Sequence, residues 1–311
     1  MSEYDVLIIG GGAAGLSAAL VLLRARRTVA VIDAGAPRNG PAAHMHGFLS
    51  RDGVAPGTFL AAGRAEVQRY GGEAVSATVA DLAKTPSGFR ARLSDGEELV
   101  GRRVLLATGL QDVLPDLPGI RERWGKDLLH CPYCHGWEVR DQPLGVLGGD
   151  TDAVQHALLL RQWSSDMVLF SGSVQISLES RTALAARGVR IVPGAVASLV
   201  VENDRLTGVM LSDGTTVPRT AVFVRPRFEP NTRLARGIGC ATDETGRLIH
   251  DGTGRTTVHG VWVAGNAGDT RAQVITAAGE GSAAAIALNA DLVDEDVEVA
   301  LRSSRSPAIA T

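Results

Sequence analysis

Val6-Leu7-Ile8-Ile9-Gly10-Gly11-Gly12-Ala13-Ala14-Gly15 is the stretch that decides the fold of this chain. Its first four residues form a continuous apolar run, which is typical of a buried parallel strand, and three glycines follow at once. A helical pattern then covers residues 16–24, and a second apolar strand, residues 28–32, ends at Asp33. The spacing G-x-G-x-x-G in this strand–turn–helix–strand setting predicts a dinucleotide-binding fold, whereas a bare glycine triplet would be weak support.

The residues of this turn have separate physical roles. Gly10 permits the sharp turn, Gly12 lets the backbone approach a pyrophosphate, and Gly15 lets the helix pack closely on the strand. The N-terminus of the helix offers free N–H groups to phosphates, and Asp33 is placed to hold a ribose hydroxyl. A glycine-rich turn without a ligand is the alternative interpretation, and the complete unit argues against it.

The rest of the first half continues the same fold. Residues 89–93 and 97–100 alternate about Ser-Asp-Gly, which predicts a hairpin, and a separate buried strand at 104–106 ends in Ala107-Thr108-Gly109. Residues 36–57 are predicted to be a loop. Its histidines, His44 and His46, are expected to hydrogen-bond at the surface, and lining a cofactor or substrate pocket is the alternative.

The same order of elements recurs in the second half of the chain. A strand at 144–147 leads into Gly148-Gly149-Asp150, and a helix, a strand, a hairpin about residues 212–214 and a final strand at 221–224 follow. A further strand ends in Ala264-Gly265-Asn266, before a helix at 275–291 that returns to the first domain. We predict an α/β fold with two Rossmann-like, three-layer dinucleotide-binding domains, each with a small β-meander.

Composition excludes several classes of function. The 311 residues carry a formal net charge of −3, and no Lys/Arg cluster is interleaved with aromatics, so we expect no nucleic-acid partner. The apolar stretch 13–23 is too short to span a bilayer, and residues 1–5 are acidic where a signal peptide is basic. Three cysteines are too few for a disulfide framework. We expect a cytoplasmic protein with redox chemistry and no membrane association.

Two of the cysteines lie together in His130-Cys131-Pro132-Tyr133-Cys134-His135-Gly136-Trp137. The C-x-x-C spacing lets two sulfurs close and reopen a disulfide, and the flanking histidines can exchange the protons. A zinc site using His130 or His135, or an inert pair, are the alternatives. With a single C-x-x-C and Cys240 far away, the sequence favours redox chemistry and no metal.

Together these motifs resemble those of the low-molecular-weight thioredoxin reductases, and the resemblance covers nearly the whole chain. It implies a homodimer whose FAD domain, residues 1–116 and 246–311, is split around an NADPH-domain-like insert, residues 117–245. It also implies that Asn266 faces the ribityl chain of the flavin and that Gln273 and Val274 lie beside the isoalloxazine. The residues expected to bind FAD are Gly10, Gly12, Ala13, Ala14, Gly15, Asp33, Ala107, Thr108, Gly109, Gly265, Asn266, Gln273 and Val274.

Three departures from the reductase pattern lie in the insert. Asp150 stands where the second glycine of the fingerprint belongs, and its carboxylate would repel a pyrophosphate. Residues 171–173, Ser-Gly-Ser, lack the arginines that pair with the 2′-phosphate of NADPH. Residues 224–227, Val-Arg-Pro-Arg, replace the apolar-glycine turn under a nicotinamide. We therefore predict that the insert does not bind NADPH.

His135, directly after the second cysteine, replaces the aspartate of the reductases. In this respect the motif resembles the dithiol oxidases of the gliotoxin and holomycin pathways, which close a disulfide within a small molecule and pass the electrons to oxygen. The resemblance implies a small-molecule dithiol substrate that attacks Cys131, with Cys134 facing the flavin. His135 is the candidate general base and His130 the reserve, since imidazole titrates near neutrality. A disulfide reductase fed by NADPH or ferredoxin, and a non-enzymatic flavin redox sensor, are the alternatives.

Overall fold

A computed structural model describes residues 2–305 and has the predicted α/β architecture. The strands of the described chain, in order, are β1 Ser2–Ile9, β2 Val29–Asp33, β3 Glu73–Ser76, β4 Val79–Thr85, β5 Gly88–Leu93, β6 Glu98–Leu106, β7 Leu110–Val113, β8 Leu128–Leu129, β9 Leu144–Leu147, β10 Met167–Gly172, β11 Val189–Pro193, β12 Val196–Glu202, β13 Arg205–Leu211, β14 Thr216–Pro218, β15 Ala221–Val224, β16 Arg227–Pro230 and β17 Val261–Val263.

Helices alternate with these strands through most of the chain. They are α1 Ala13–Arg24, α2 Pro56–Arg69, α3 Ile120–Arg123, α4 Pro132–His135, α5 Thr151–Leu160, α6 Leu178–Ala186, α7 Arg233–Gly237 and α8 Val274–Arg305, with a 3-10 turn at Gly265–Ala267. Within residues 2–305 no helix is both long enough and apolar enough to cross a membrane.

The chain divides into two compact units. Unit 1 comprises Met1–Arg38, Gly57–Gln111 and Phe228–Thr311, and unit 2 comprises Asn39–Pro56 and Asp112–Arg227. The predicted insert ran from 117 to 245, so residues 228–245 lie in the other unit, where the Ala235, Ile238 and Cys240 side chains join the core. The loop 39–56 belongs to unit 2, and no sequence pattern indicated this.

Unit 1 is built on a sheet in the order β3-β2-β1-β6-β5-β4, with β17 also paired to β6. Strands β3, β2, β1, β6 and β17 are mutually parallel, and the antiparallel β4 and β5 form the predicted meander with the start of β6. Along β1, Leu7 and Ile9 enter the core on one face of the sheet, while Val6 and Ile8 enter the core on the other. Both faces are covered, which accounts for the continuous apolar run.

Unit 2 repeats this arrangement on a smaller scale. Its parallel sheet has the order β11-β10-β9-β15-β8, and β12, β13 and β14 form a separate antiparallel meander. The predicted hairpin about residues 212–214 is the β13–β14 pair. The glycine turn after β9 leads into α5, as the turn after β1 leads into α1.

Two sequence-based element assignments were wrong. Residues 97–100 and 104–106 were predicted as separate strands, but β6 is continuous because its first half pairs with β5 and its second half with β17. The last helix was predicted to end at 291, yet α8 continues to Arg305. Arg102 and Arg103 of β6 form salt bridges with two acidic residues of α8, Glu295 and Asp296. These ion pairs join the C-terminal half of α8 to β6.

Helix α8 packs closely on α1 at Gly281. A Cβ added at Gly281 would overlap the carbonyl oxygen of Ala14 and lie 3.0 Å from its Cα. A Cβ added at Gly279, two residues earlier on the same helix, would have no atom of the described chain within 4 Å. Gly281 is therefore needed for helix packing, whereas Gly279 is not.

We predict that Gly281→Ala destabilises the protein by about 1–3 kcal/mol, because the added methyl group must push α8 away from α1. The matched variant Gly279→Ala should be neutral or stabilising by about 0.5–1 kcal/mol, since alanine favours the helix and meets open space. Chemical denaturation of both variants tests this. Equal unfolding midpoints for the two variants would contradict the packing account.

Candidate active site

The first glycine turn has the geometry of an anion cradle. Gly10 has a φ of +110°, and a Cβ there would overlap the carbonyl oxygen of Ala107, so only glycine fits. Gly12 is the N-cap of α1, and no side chain of the described chain caps that helix end. A Cβ at Gly12 would have no atom of residues 2–305 within 4 Å. The N–H groups of Ala13 and Ala14 at this helix start can therefore receive a phosphate.

Gly15 and Asp33 complete the cradle. A Cβ on Gly15 would overlap the Gly10 carbonyl oxygen and lie 3.2 Å from Ile8 Cγ2, so glycine allows α1 to approach β1. Asp33 ends β2 beside the turn, since a Cβ on Gly11 would lie 2.8 Å from the Asp33 Cβ and Cγ atoms. Asp33 is thus beside the turn, and its role in holding a ribose hydroxyl stays a prediction. The chain at this turn fits the adenosine diphosphate part of FAD.

Ala107, Thr108 and Gly109 follow β6 at the same sheet edge as Gly10. Ala107 N donates to Ile9 O at 2.8 Å, which keeps this turn beside the first. The Thr108 hydroxyl donates to Asn231 O at 2.7 Å, and the Asn231 amide donates back to Thr108 O at 2.8 Å. Thr108 thus fixes the backbone of residue 231. Gly109 has a φ of +68° and open space at its Cα, as a close approach requires.

The turn after β17 meets the same edge, because β17 is parallel to β6. Gly265 N donates to Glu280 Oε2 at 2.7 Å, so a carboxylate of α8 holds this turn. Burial raises the pKa of Glu280, while its bond from Gly265 N lowers it. No role was predicted for Glu280, although it stands between two glycines of the helix. Gln273 and Val274 are half-buried at the start of α8, where Gln273 O accepts from Ala277 N at 2.8 Å.

The side-chain amide of Asn266 makes its hydrogen bonds within its own loop. Its amide nitrogen donates to Asp269 O at 2.9 Å and to Ala272 O at 3.0 Å. Its carboxamide oxygen accepts from Arg38 Nη1 at 3.1 Å and keeps a second lone pair. Asn266 therefore orders residues 269–272, and only its oxygen can serve a further hydrogen bond; the ribityl role stays a prediction.

The cysteine pair lies in unit 2, between β8 and β9. Cys131 and Cys134 are joined by a disulfide, with their Cα atoms 5.2 Å apart. Cys131 is the N-cap of α4, and its Sγ accepts from Cys134 N at 3.1 Å. Pro132 occupies the first helical position, where its fixed φ favours the turn. In the reduced protein the same N–H would favour the thiolate of Cys131.

The disulfide bears on the alternative of a zinc site. Both sulfurs are used in the bond between them. Across residues 2–305, no group of three or more His, Cys, Asp or Glu side chains is arranged to hold a metal ion. The third cysteine, Cys240, is buried in unit 1, where burial raises its pKa and Thr256 Oγ1 lies 3.6 Å from its sulfur. The described residues support a redox pair.

His130, just before Cys131, contacts β15 and α5. Its Nδ1 lies 3.2 Å from Val224 O, and its ring centroid lies 6.0 Å from that of His156. Burial and the neighbouring His130 lower the pKa of His156 to about 4, so this ring is neutral near pH 7. His156 was missed because on α5 it follows the spacing of apolar core residues. It packs edge-on against Phe223 at 5.8 Å.

His135 lies at the end of α4, directly after Cys134. Burial lowers its pKa; the Glu138 carboxylate opposes that shift and His46 adds to it. A neutral imidazole is the form that accepts a proton from a thiol. His46, in the 39–56 loop, lies within hydrogen-bonding distance of Asp52 at 3.3 Å, as expected for a histidine of a surface loop. His44 is exposed.

The start of α5 repeats the start of α1 with one decisive change. Asp150 is its N-cap, with φ −74° and ψ 171°, close to the −76° and −172° of Gly12. The Asp150 side chain accepts from Ala153 N at 2.7 Å, so the chain supplies its own anion to this helix end. Nearby, Arg225 after β15 forms a salt bridge of 3.2 Å with Asp152.

Comparisons with known proteins agree with this architecture. The model of a family described as pyridine nucleotide-disulphide oxidoreductase matches residues 4–281. The chain is 32% identical to "Thioredoxin reductase sirT" of Leptosphaeria maculans, over 95% of this chain and 96% of that protein. Among solved structures, a protein named HlmI is 55% identical, with a TM-score of 0.93 and 96% of both chains covered. An oxidoreductase from Agrobacterium tumefaciens is 34% identical, with a TM-score of 0.89, covering 94% and 99% of the two chains.

We predict that Gly12→Asp abolishes FAD binding while the fold is kept. The new carboxylate would cap α1 as Asp150 caps α5, and it would repel the pyrophosphate. Since juxtaposed like charges cost several kcal/mol, flavin affinity should fall more than about a hundredfold. The flavin absorbance per protein and the circular dichroism of the purified variant measure both effects. A variant that stays yellow would contradict the assignment of this cradle.

Proposed function

The chain belongs to the pyridine nucleotide-disulphide oxidoreductase family, and we propose that it acts as an FAD-dependent dithiol oxidase. It is a flavin-dependent oxidoreductase of sulfur groups, and FAD is its cofactor. In our proposal the substrate is a small-molecule dithiol, in which the enzyme closes an intramolecular disulfide. Molecular oxygen is the proposed electron acceptor and hydrogen peroxide the second product.

The observation that carries the proposal is the Asp150 carboxylate at the start of α5. In a pyridine-nucleotide domain this helix end receives the pyrophosphate of the nucleotide. Here Asp150 fills the hydrogen-bonding position at Ala153 N and brings a negative charge that opposes a phosphate. Gly12, with nearly the same backbone angles, leaves the equivalent position of unit 1 open. One cradle thus suits a dinucleotide and the other does not.

The surroundings of α5 support the same proposal. Arg225 is paired with Asp152, which reduces the positive charge available to a nucleotide phosphate. Ser171 belongs to the segment 171–173, which lacks the arginines that pair with a 2′-phosphate. It is buried against the glycine turn, where a Cβ added at Gly149 would lie 2.5 Å from its carbonyl oxygen. Electrons are therefore proposed to enter through the Cys131–Cys134 disulfide and not from a nicotinamide.

The disulfide can accept those electrons in two exchange steps. A substrate thiolate attacks the Cys131 sulfur, the Cys131–Cys134 bond breaks, and a mixed disulfide forms. The second substrate thiolate then attacks the substrate sulfur of the mixed disulfide, which closes the product disulfide and releases Cys131 as a thiolate. FAD, when bound, supplies the two-electron carrier that restores the enzyme disulfide, and O2 takes the two electrons with two protons as hydrogen peroxide.

His135 is proposed to take the proton from the attacking thiol. A thiol with a pKa near 8.5 is mostly protonated at neutral pH, so a neutral imidazole raises the fraction of thiolate. Since burial lowers the pKa of His135, this imidazole is free to act at neutral pH. His130 is the reserve candidate, and its Nδ1 lies 3.2 Å from Val224 O.

A disulfide reductase is the second candidate function, because relatives of this chain are named thioredoxin reductases. Such an enzyme needs a reductant, NADPH or ferredoxin, that delivers electrons to the flavin. The two functions run the same sulfur chemistry in opposite directions. A non-enzymatic redox sensor would undergo one round of reduction only. Sustained oxygen uptake with a dithiol separates the proposed oxidase from both.

We predict that Cys131→Ser and Cys134→Ser each lower dithiol-dependent oxygen uptake at least about a thousandfold, since either change removes the exchangeable disulfide. The control Cys240→Ser should keep the rate, because that sulfur is buried in the core of unit 1. An oxygen electrode and a peroxide assay, used with a panel of reduced natural-product dithiols, measure these rates. In the wild type they should show one molecule of peroxide for each disulfide formed. Peroxide production that survives Cys134→Ser would contradict the proposed route.

A further inference from the structure

The 39–56 loop places a histidine between two carboxylates next to the active-site segment. His46 Nδ1 lies 3.3 Å from Asp52 Oδ2, and His46 Nε2 lies 3.4 Å from Glu138 Oε1. Asp52 is itself fixed, since Gly47 N donates to its other oxygen at 2.9 Å. All of these residues belong to unit 2, together with the disulfide. Glu138 is therefore held by a loop that is remote from it in sequence.

Glu138 lies three residues after His135, on the same turn-rich segment. Of the charged groups that act on His135, Glu138 favours the protonated ring, while His46 from the loop disfavours it. Arg140, the next charged residue along the segment, stacks on the Trp137 ring at 3.9 Å and donates to Trp137 O at 2.7 Å. Its charge is thus directed to the indole. Glu138 follows His135 by three residues across the turn that continues α4, a spacing that brings two side chains to the same side of a helical turn, so its carboxylate is the one placed near His135.

We propose that Glu138, oriented by the Asp52–His46 pair, is a positioning residue that enables His135 to hold the proton taken from the substrate thiol. The inference rests on the proposed function, because it assigns Glu138 a part in the same proton transfer. It adds His46 and Asp52 to the working site, although neither is in the C-x-x-C segment.

The physical argument concerns the charge that His135 acquires. Accepting a proton turns a half-buried neutral ring into a cation, which burial disfavours. A nearby carboxylate stabilises this cation. The carboxylate must keep its place, and Glu138 is 42% exposed, so without a partner its side chain could turn into solvent. The protonated His46 ring supplies that partner, because only the imidazolium donates from both nitrogens, one to Glu138 and the other to Asp52.

The experiment compares pH profiles of flavin reduction in holoenzyme variants mixed anaerobically with dithiothreitol. The rate rises with pH as His135 loses its proton. Glu138→Gln removes the carboxylate that favours the protonated ring, so the pKa of His135 falls and the rising limb should move to lower pH by about one unit. The plateau rate should fall several-fold, because a weaker base accepts a proton less readily. Dividing variant rates by wild-type rates cancels the titration of dithiothreitol itself.

The variant His46→Gln tests the direction in which His46 shifts the rising limb of the pH profile. If His46 holds Glu138 in place, its loss should move the limb to lower pH, in the same direction as Glu138→Gln and by less. In the Glu138→Gln background the same change should then have no further downward effect. A limb that moves to higher pH in His46→Gln would mean that His46 acts only as a repelling charge, and it would overturn the proposal.

Glu138→Asp and Glu202→Gln complete the set of variants. The aspartate keeps the charge and should recover part of the wild-type profile. Glu202, an exposed carboxylate at the end of β12, is the matched control, and its loss should leave the profile unchanged. A Glu138→Gln profile that superimposes on the wild-type profile would overturn the proposal.

A second measurement does not depend on turnover. Nuclear magnetic resonance with isotope-labelled histidine follows the His135 ring directly in the oxidised holoenzyme, with His135→Gln to assign its signal. The pKa should be lower in Glu138→Gln than in the wild type, and an unchanged pKa would overturn the inference. If the wild-type flavin is not reduced by any dithiol, the proposed function fails, and this titration still decides the role of Glu138.

Discussion

The free N–H groups at the start of a helix, directly after a parallel strand, are the physical constraint on which the structure depends. They attract an anion, and a fold of this kind presents them once in each of its two dinucleotide-type units. At α1 the N-cap is Gly12, which leaves space for the phosphates of a cofactor. At α5 the N-cap is Asp150, whose carboxylate occupies the position within the chain itself. The same backbone geometry thus gives one ligand site and one self-satisfied helix end.

The geometry of the two cysteines is set by a different local feature, the single helical turn α4. The proline of Cys131-Pro132-Tyr133-Cys134 starts a single helical turn, which keeps the two cysteines within bonding distance and points one backbone N–H at the Cys131 sulfur. Burial favours the neutral form of two histidines near this pair, and proton transfer is proposed for one of them, His135. His156 is the extreme case, with a pKa of about 4, and it stays a neutral packing partner of His130. His135 is shifted in the same direction but keeps a carboxylate close by.

Much of this could be predicted from the sequence, because the decisive features are local. The G-x-G-x-x-G turn, the C-x-x-C pair and the aspartate at position 150 are each recognised from spacing within a few residues, and the strand periodicities placed the two glycine turns at the carboxyl ends of strands. Features that depend on tertiary packing could not be predicted. The continuity of β6 arises from two different partners on its two halves, and α8 is extended by ion pairs with β6. The contact between His46 and Glu138 joins a loop to a distant segment, and no periodicity indicates it. The hydrogen bonds from the Asn266 amide to two loop carbonyls likewise have no sequence signal, and its role toward the ribityl chain stays a prediction.

The central claim is that electrons enter through the sulfur pair of unit 2 and not through its nucleotide-type helix start. The most direct measurement is anaerobic stopped-flow absorbance of the flavin band in the purified holoenzyme, mixed in parallel with NADPH and with a reduced dithiol. The account predicts rapid loss of the oxidised flavin band with the dithiol and an unchanged band with NADPH over the same period. Bleaching by NADPH on the timescale of turnover would contradict it, because the α5 helix start would then have to accept the nucleotide despite Asp150.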